Sequence, residues 1–202
     1  MVLGITGAIG CGKSTVLSYF AANHWHVFDA DKLCHHLYDG HNQEFCAAIT
    51  DRWGKDLLLP DGGICRSKLG KIVFADRKEL DVLTSILYPA LRGEIISLVD
   101  SFRNSKERAA FEIPLLYEAG FETLFDGILA IWSAPEIRHQ RLKQFRKMSD
   151  EDIAAREKQQ LSADVKLEKA DFAVINNGTE DELKIQLDFF IEYLGKEQKK
   201  DE

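Results

Sequence analysis

The residues best suited to chemistry lie near the start of the chain. Residues 7–14 read Gly-Ala-Ile-Gly-Cys-Gly-Lys-Ser, which is a Gly-x4-Gly-Lys-Ser pattern. Glycines at these spacings can adopt backbone angles closed to other residues, so consecutive N–H groups can turn inward around a phosphate. The pattern follows an apolar, β-prone run at residues 2–6 and precedes a helical stretch at residues 16–20. This strand, loop and helix order is the one that a phosphate-binding loop requires.

The polar side chains of this loop have expected tasks. Lys13 would reach the β and γ phosphates of a nucleoside triphosphate as a compact charge, while the Ser14 hydroxyl would ligate Mg²⁺. A helix that begins at about Lys13 would add its N-terminal partial positive charge to the same spot. The predicted nucleotide-binding residues of the loop are Gly10, Cys11, Gly12, Lys13, Ser14 and Thr15. The alternative is a glycine turn that matches the pattern by coincidence.

Two aspartates follow a second β-prone run, at residues 25–28. The carboxyl ends of parallel strands line the ligand crevice of an open sheet, so Asp29 and Asp31 are expected to face the bound phosphates. We assign Asp31 the catalytic role, because a carboxylate there can accept the proton of a substrate hydroxyl and orient its oxygen for attack. Asp29 would support Mg²⁺-bound water or the local backbone. The alternative is that both aspartates only cap the following helix.

A third acidic residue ends another predicted strand. Glu112 lies near the end of the run at residues 109–113, where a carboxylate could orient Mg²⁺ through water. The predicted metal-binding residues are therefore Ser14 and Glu112.

The segment 135–169 is a charged helical stretch that predicts a lid. The negative charge on a moving phosphoryl group requires cations that close over it, and arginine suits that task. Arg141 and Arg146 are the arginines that we expect to act catalytically, together with Asp31 and Lys13. The alternative is a solvated helix pair joined by i, i+4 salt bridges.

Asn176 closes the last β-prone run and is expected to contact adenine, although the Asn177-Gly178 pair beside it is also an ordinary turn former.

Five such runs separated by helical patterns predict an α/β fold, a three-layer α/β/α arrangement with a five-stranded parallel sheet. The core would comprise residues 1–31, 109–134 and 170–194 of a single unit, 1–202. Residues 32–108 would form a helical, acceptor-binding insertion, in which Pro89 limits a helix. Gly195 would end the last helix before a charged tail, 195–202.

Composition narrows the function classes. The chain has 202 residues and a net charge of −7, which argues against nucleic-acid partners. No uninterrupted apolar stretch approaches the roughly 20 residues of a membrane span, so we expect no membrane association. Four cysteines without a Cys-x2-Cys pair, and a core strand directly after Met1, favour a cytoplasmic protein with free thiols. We expect a monomer or a weak homo-oligomer.

These motifs together resemble the dephospho-CoA kinase family. The resemblance depends on Asp29-Ala30-Asp31, on Ile-Pro-Leu-Leu-Tyr-Glu at residues 113–118, and on the closing segment from Ala170 to Gly178. Ala-Arg at residues 155–156, with Gln160 and Ser162, also looks like the lid of that family. The resemblance implies a P-loop kinase that uses ATP and Mg²⁺ to phosphorylate the ribose 3′-hydroxyl of dephospho-CoA, giving coenzyme A and ADP. Residues 10–15 then match the ATP loop of the family, and Asp31 its proposed base.

Two positions depart from the family pattern, and two other functions stay open. Glu112 stands where the family usually has Asp, and Tyr88-Pro89 stands for a His-Pro pair. The first alternative is a P-loop kinase of another small alcohol or a nucleoside monophosphate. The second is a nucleotide-gated switch ATPase, which the absence of an Asn-Lys-x-Asp guanine-reading motif disfavours.

Overall fold

A five-stranded parallel sheet carries the phosphate loop. The computed structural model describes residues 1–198. The strands lie in the order β2-β3-β1-β4-β5, with the strand that enters the loop, β1, at the centre. Their bounds are β1 Val2–Thr6, β2 His26–Asp29, β3 Ala109–Glu112, β4 Gly127–Trp132 and β5 Phe172–Ile175. The predicted α/β class with a five-stranded parallel sheet is therefore confirmed.

Nine α-helices connect these strands within the described residues. They are α1 Lys13–Ala22, α2 Ala30–Leu37, α3 Gln43–Trp53, α4 Arg66–Val73, α5 Arg77–Ser105, α6 Pro135–Arg146, α7 Asp150–Glu157, α8 Ala163–Lys169 and α9 Glu180–Gln198. The chain divides into two compact units. A core unit comprises Met1–Val27 and the described chain from Ser105 onward, and a helical unit comprises Phe28–Asn104.

The core unit is built on strands that are apolar on both faces. Every residue of β1 is buried, as is expected of a central parallel strand covered by helices on both sides. Phe20 of α1 and Leu187 of α9 belong to the same buried cluster as Leu3 and Leu129. The first and last helices of the chain therefore enclose the strand from which the phosphate loop emerges.

The helical unit contains one long helix that the sequence did not predict in full. We expected Pro89 to limit a helix, but α5 runs from Arg77 to Ser105 with Pro89 inside it. Proline lacks an N–H and its ring crowds the preceding turn, which costs a helix about 3 kcal/mol. Burial of Leu83 on one side of Pro89 and of Ile95 on the other offsets that cost.

The same helix is long and apolar enough to cross a membrane when only length and composition are considered. Such a single helix is weak support for a membrane protein, because the core helices of soluble proteins have the same composition. The helix carries Arg92 and Glu94 near its middle.

The last helix also differs from its predicted bounds. We expected Gly195 to end it, whereas α9 continues to Gln198. Glycine in a helix costs only about 1 kcal/mol relative to alanine, and an ion pair between Lys196 and Glu192 at 2.8 Å bridges that turn. The remainder of the predicted charged tail, residues 199–202, lies outside the described residues.

Candidate active site

The phosphate loop has the backbone that its glycines predicted. Gly10 and Gly12 adopt φ angles of 82° and 94°, in the left-handed region that side chains disfavour. A Cβ atom on Gly12 would lie 2.3 Å from Nδ2 of Asn176. Both the backbone angle and the available space therefore require glycine at position 12.

Helix α1 begins directly after this turn. Gly12 is its N-cap residue, and no described side chain caps the helix. Ser14 and Thr15 are exposed in its first turn. An uncapped helix start presents unpaired N–H groups and a partial positive charge, which together form a site for a phosphate.

Lys13 lies across the loop. It is only 8% exposed, and its Nζ donates hydrogen bonds to the carbonyl oxygens of Gly7 at 3.0 Å and Ala8 at 3.2 Å. Neutral carbonyls bind an ammonium group more weakly than phosphate oxygens do. Lys13 is thus held at the loop by contacts that a phosphate can replace.

Asn176 joins the phosphate loop to α6. Its side-chain Nδ2 donates to the carbonyl oxygen of Cys11 at 2.9 Å, while its main-chain carbonyl oxygen accepts from Nη1 of Arg141 at 2.9 Å. Ser133 Oγ donates to the same Asn176 oxygen at 2.6 Å. The structure therefore brings Asn176 and Arg141 together beside the loop, and the amide of Asn176 is engaged with protein partners. The predicted contact between Asn176 and adenine stays a prediction.

Arg146 lies at a different place on the same helix. It is the last residue of α6 and is exposed, whereas Arg141 is half-buried. Among the described contacts, Arg141 is bonded to Ser133 and Asn176, which in turn contact Cys11 of the phosphate loop.

Arg138 was missed as a site residue, although it is one of the most buried polar groups. Its Nη1 donates to the carbonyl oxygen of Ile9 in the phosphate loop at 3.2 Å and to Oε1 of Glu157 at 2.6 Å. Burial raises the pKa of Glu157, but hydrogen bonds from Arg138 and His139 outweigh it and hold the pKa below its usual range. Arg138 thus connects the loop with α7.

Lys166 was also missed. It is fully buried, and its Nζ lies 2.9 Å from Oε1 of Glu118 and donates to the carbonyl oxygen of Pro114. Burial lowers the pKa of Lys166, and the Lys13 charge lowers it further, while Glu118 opposes both. Because lysines are normally exposed, its sequence position offered no signal. Lys166 attaches α8 to the segment that follows Glu112.

Glu112 ends β3 in register with Ile5, next to the start of the loop. Its partly exposed carboxylate and the exposed Ser14 hydroxyl are oxygen donors, the ligands that Mg²⁺ prefers. No group of three or more His, Cys, Asp or Glu side chains that could hold a metal ion occurs among the described residues. Mg²⁺ at phosphate sites commonly uses one or two protein ligands together with substrate phosphates and water, so the donors present fit that ion.

Asp29 and Asp31 belong to the helical unit at the start of α2. Asp29 is the N-cap residue, and its Oδ1 accepts from the N–H groups of Asp31 at 2.9 Å and Lys32 at 3.3 Å. Asp31 is exposed in the first turn, and its carboxylate does not cap the helix. The two carboxylates therefore differ in role, and Asp29 serves the local backbone.

The helical unit also contains a cavity of about 980 Å³. Its wall is largely apolar and includes Leu69, Val73, Leu83 and Leu87. Polar residues also line it, among them the acids Asp39 and Asp61 and the basic residue Arg66. A cavity that combines an apolar wall with polar groups is typical of small-molecule sites.

Comparison with known proteins identifies the family. The model of the dephospho-CoA kinase family matches residues 1–182. The chain belongs to the dephospho-CoA kinase family. A dephospho-CoA kinase of Listeria monocytogenes is 34% identical over 191 residues, which cover 94% of this chain and 95% of that protein. One of Lactobacillus johnsonii is 33% identical over 195 residues, with coverages of 96% and 98%.

Solved structures agree with this assignment. A dephospho-CoA kinase from Campylobacter jejuni superposes with a TM-score of 0.75 at 28% identity, and 98% of each chain is covered. A shikimate kinase from Bacteroides thetaiotaomicron superposes with a TM-score of 0.53 at 11% identity over 96% of this chain and 98% of that one, which shows a shared fold alone. As a member of this family, the protein is a phosphotransferase with an alcohol group as acceptor.

Proposed function

We propose that the protein transfers the γ-phosphoryl group of ATP to the ribose 3′-hydroxyl of dephospho-CoA, giving coenzyme A and ADP. The observation that carries this proposal is the phosphate loop, shaped by Gly12 and buttressed by Asn176 and Arg138, in a chain that matches the dephospho-CoA kinase family over residues 1–182. The loop supplies the phosphate site, and family membership supplies the acceptor.

The core unit would bind and polarise the triphosphate. N–H groups at the start of α1 would surround the phosphates, and Lys13 would exchange the carbonyl oxygens of Gly7 and Ala8 for phosphate oxygens. Ser14 and Glu112 would hold Mg²⁺, which when bound neutralises charge on the phosphates. Arg141 would place its positive charge next to the transferred group from its anchored position against Asn176. Arg146, which is exposed, would approach when the lid closes.

Asp31 would act as the general base. Its carboxylate is exposed in the first turn after β2, and β2 is a parallel strand of the sheet that carries the loop. It would accept the proton of the 3′-hydroxyl while that oxygen attacks the γ phosphorus and the bond to the bridging oxygen of ADP breaks.

The cavity of the helical unit would accept part of the acceptor. Dephospho-CoA has a long, flexible pantetheine arm and a charged nucleotide end. The apolar wall suits the arm, and Arg66 can pair with a phosphate oxygen. The domain boundaries predicted from the sequence, with an acceptor-binding insertion at 32–108 and a lid at 135–169, are part of this proposal.

We further propose that the protein acts in the cytoplasm on small molecules alone, without nucleic-acid or membrane partners, as a monomer or a weak homo-oligomer. The net charge of −7 and the charged residues in the middle of α5 support this view.

An acceptor panel tests the proposal. ADP release is measured with ATP and Mg²⁺ in the presence of dephospho-CoA, a nucleoside monophosphate, shikimate, or no acceptor. We expect turnover only with dephospho-CoA, with phosphorus in the product on the 3′-oxygen. Turnover with another acceptor alone would assign a different kinase activity, and acceptor-independent hydrolysis would indicate a switch ATPase.

A further inference from the structure

The outer face of α9 has a pattern that the catalytic assignment does not use. Ile185, Phe189 and Tyr193 are 55%, 68% and 49% exposed, at intervals of four residues. At about 100° per residue, residues four positions apart differ by about 40° around the helix axis, so these three side chains lie on one face. The opposite face packs into the core through Leu183, Leu187, Phe190 and Leu194. The helix is therefore apolar on both sides.

Charged residues lie at each end of this outer stripe. Glu182, one helical period before Ile185, and Lys196, one period after Tyr193, lie on the same face. Glu182 accepts two hydrogen bonds from Thr179 on Oε2, and among the described contacts its Oε1 remains available to a cation. Along this face an acid, Glu182, is followed by the apolar Ile185, by two aromatic residues, Phe189 and Tyr193, and by a base, Lys196.

This order is self-complementary when two copies of the helix lie antiparallel. With a two-fold axis at Phe189, the Phe189 side chains of two copies meet, and Ile185 of each copy faces Tyr193 of the other. Glu182 then lies opposite Lys196 of the second copy, whose ammonium group also pairs with Glu192 of its own helix at 2.8 Å and has further N–H donors. A parallel arrangement would instead place like charges together at both ends. Charge complementarity therefore selects a second copy of this chain as the occupant, in the antiparallel orientation.

We propose that the protein forms a weak, two-fold symmetric homodimer through the outer face of α9, with Phe189 on the axis. At the nearby sheet edge, the N–H and C=O groups of Ile175 in β5 are bonded to the side-chain amide of Gln186 at 2.9 and 2.8 Å. One helix face is smaller than a standard interface of roughly 1,600 Å², so we expect a weak association. The association is independent of the proposed catalytic function.

Sedimentation equilibrium tests the association. The native chain should show concentration-dependent dimer formation, and Phe189→Asp should weaken it at least tenfold because two like charges would meet on the axis. The matched control is Phe145→Asp, which changes an equally exposed phenylalanine of α6 and should leave the dimer intact. A native chain that stays monomeric up to about 1 mM overturns the proposal, as does a Phe189→Asp variant that dimerises normally.

Cysteine cross-linking tests the antiparallel orientation of the two α9 helices through the formation of a bond rather than through a loss of association. Phe189→Cys should form a disulfide-linked dimer with itself under mild oxidation. Ile185→Cys alone should not, whereas a mixture of Ile185→Cys and Tyr193→Cys should. The native chain is the control, since Cys34 and Cys65 are partly exposed. Self-linking of Ile185→Cys, or no linking at Phe189→Cys, would contradict the antiparallel two-fold arrangement.

Discussion

The side-chain amide of Asn176 donates a 2.9 Å hydrogen bond to the carbonyl oxygen of Cys11, a residue 165 positions earlier in the chain. The end of the last strand thereby supports the phosphate loop that follows the first. The same contact leaves no room for a side chain at Gly12, whose Cβ would lie 2.3 Å from that amide nitrogen.

Replacement of Gly12 by alanine should therefore distort the phosphate loop for two separate reasons. The positive φ costs about 1 kcal/mol, and the added methyl group displaces Asn176 from Cys11. We expect ATP affinity, measured by isothermal titration, to fall at least tenfold. Gly195→Ala is the control, because a Cβ there meets open space within α9 and should raise stability by about 0.5–1 kcal/mol. Unchanged ATP binding by Gly12→Ala would show that this loop is not part of the nucleotide site.

Lys13→Met should abolish turnover and weaken ATP binding strongly, because the loop loses its charge partner while the side-chain length is kept. Titration with ATP and with adenosine separates the effects, since adenosine lacks phosphates and should bind both forms alike. Lys184→Met, which removes an exposed lysine from α9, should leave both affinities unchanged. Near-normal activity of Lys13→Met would refute the assignment.

Asp31→Asn should lower kcat by about 10² or more with little effect on ATP affinity, as is usual for the loss of a general base. Asp29→Asn is the matched control. Asparagine caps helices as well as aspartate does, so this variant should retain kcat within a few-fold. A change confined to KM for the acceptor would show that Asp31 only positions the substrate. An equal loss in both variants would assign the two carboxylates a shared role.

The ion pair between Arg138 and Glu157 should weaken at acid pH. Because the pKa of Glu157 in the folded chain lies below the ordinary value of 4.5, its ionised form stabilises the fold above that value. The contribution is lost as the pH falls through the lowered pKa and Glu157 becomes protonated. Thermal unfolding between about pH 7 and pH 3 should show a smaller acid destabilisation in Glu157→Gln than in the native chain. Parallel curves for the two proteins would contradict this account.

The sequence predicted those parts of the site that are continuous in the chain. The phosphate loop was predictable because strand, glycines, lysine and helix occupy adjacent positions, so local geometry alone forms the site. Arg138 and Lys166 were not, since their roles depend on partners brought by the fold: the Ile9 carbonyl for one, and Glu118 for the other. Their spacing resembles that of any exposed charge on a helix.

Helix ends were less predictable than strands. The sequence predicts helix ends at Pro89 and Gly195, but both residues lie inside helices. Their intrinsic cost of about 1 to 3 kcal/mol is smaller than the gain from packing an apolar face over several turns. A local signal of that size decides a boundary only where tertiary contacts are few.

The bare start of α1 has a consequence for the lifetime of the protein. Helices α2, α3, α7 and α8 are capped by the side chains of Asp29, Asn42, Ser149 and Ser162, whereas α1, like α4 and α6, has no side-chain cap. At α1 the triphosphate itself would complete the first turn. A substrate that supplies a missing structural element also raises resistance to unfolding by mass action. A high ATP concentration in the cell would then lower the unfolded fraction of the protein, and ATP depletion would raise that fraction and with it the rate of proteolysis.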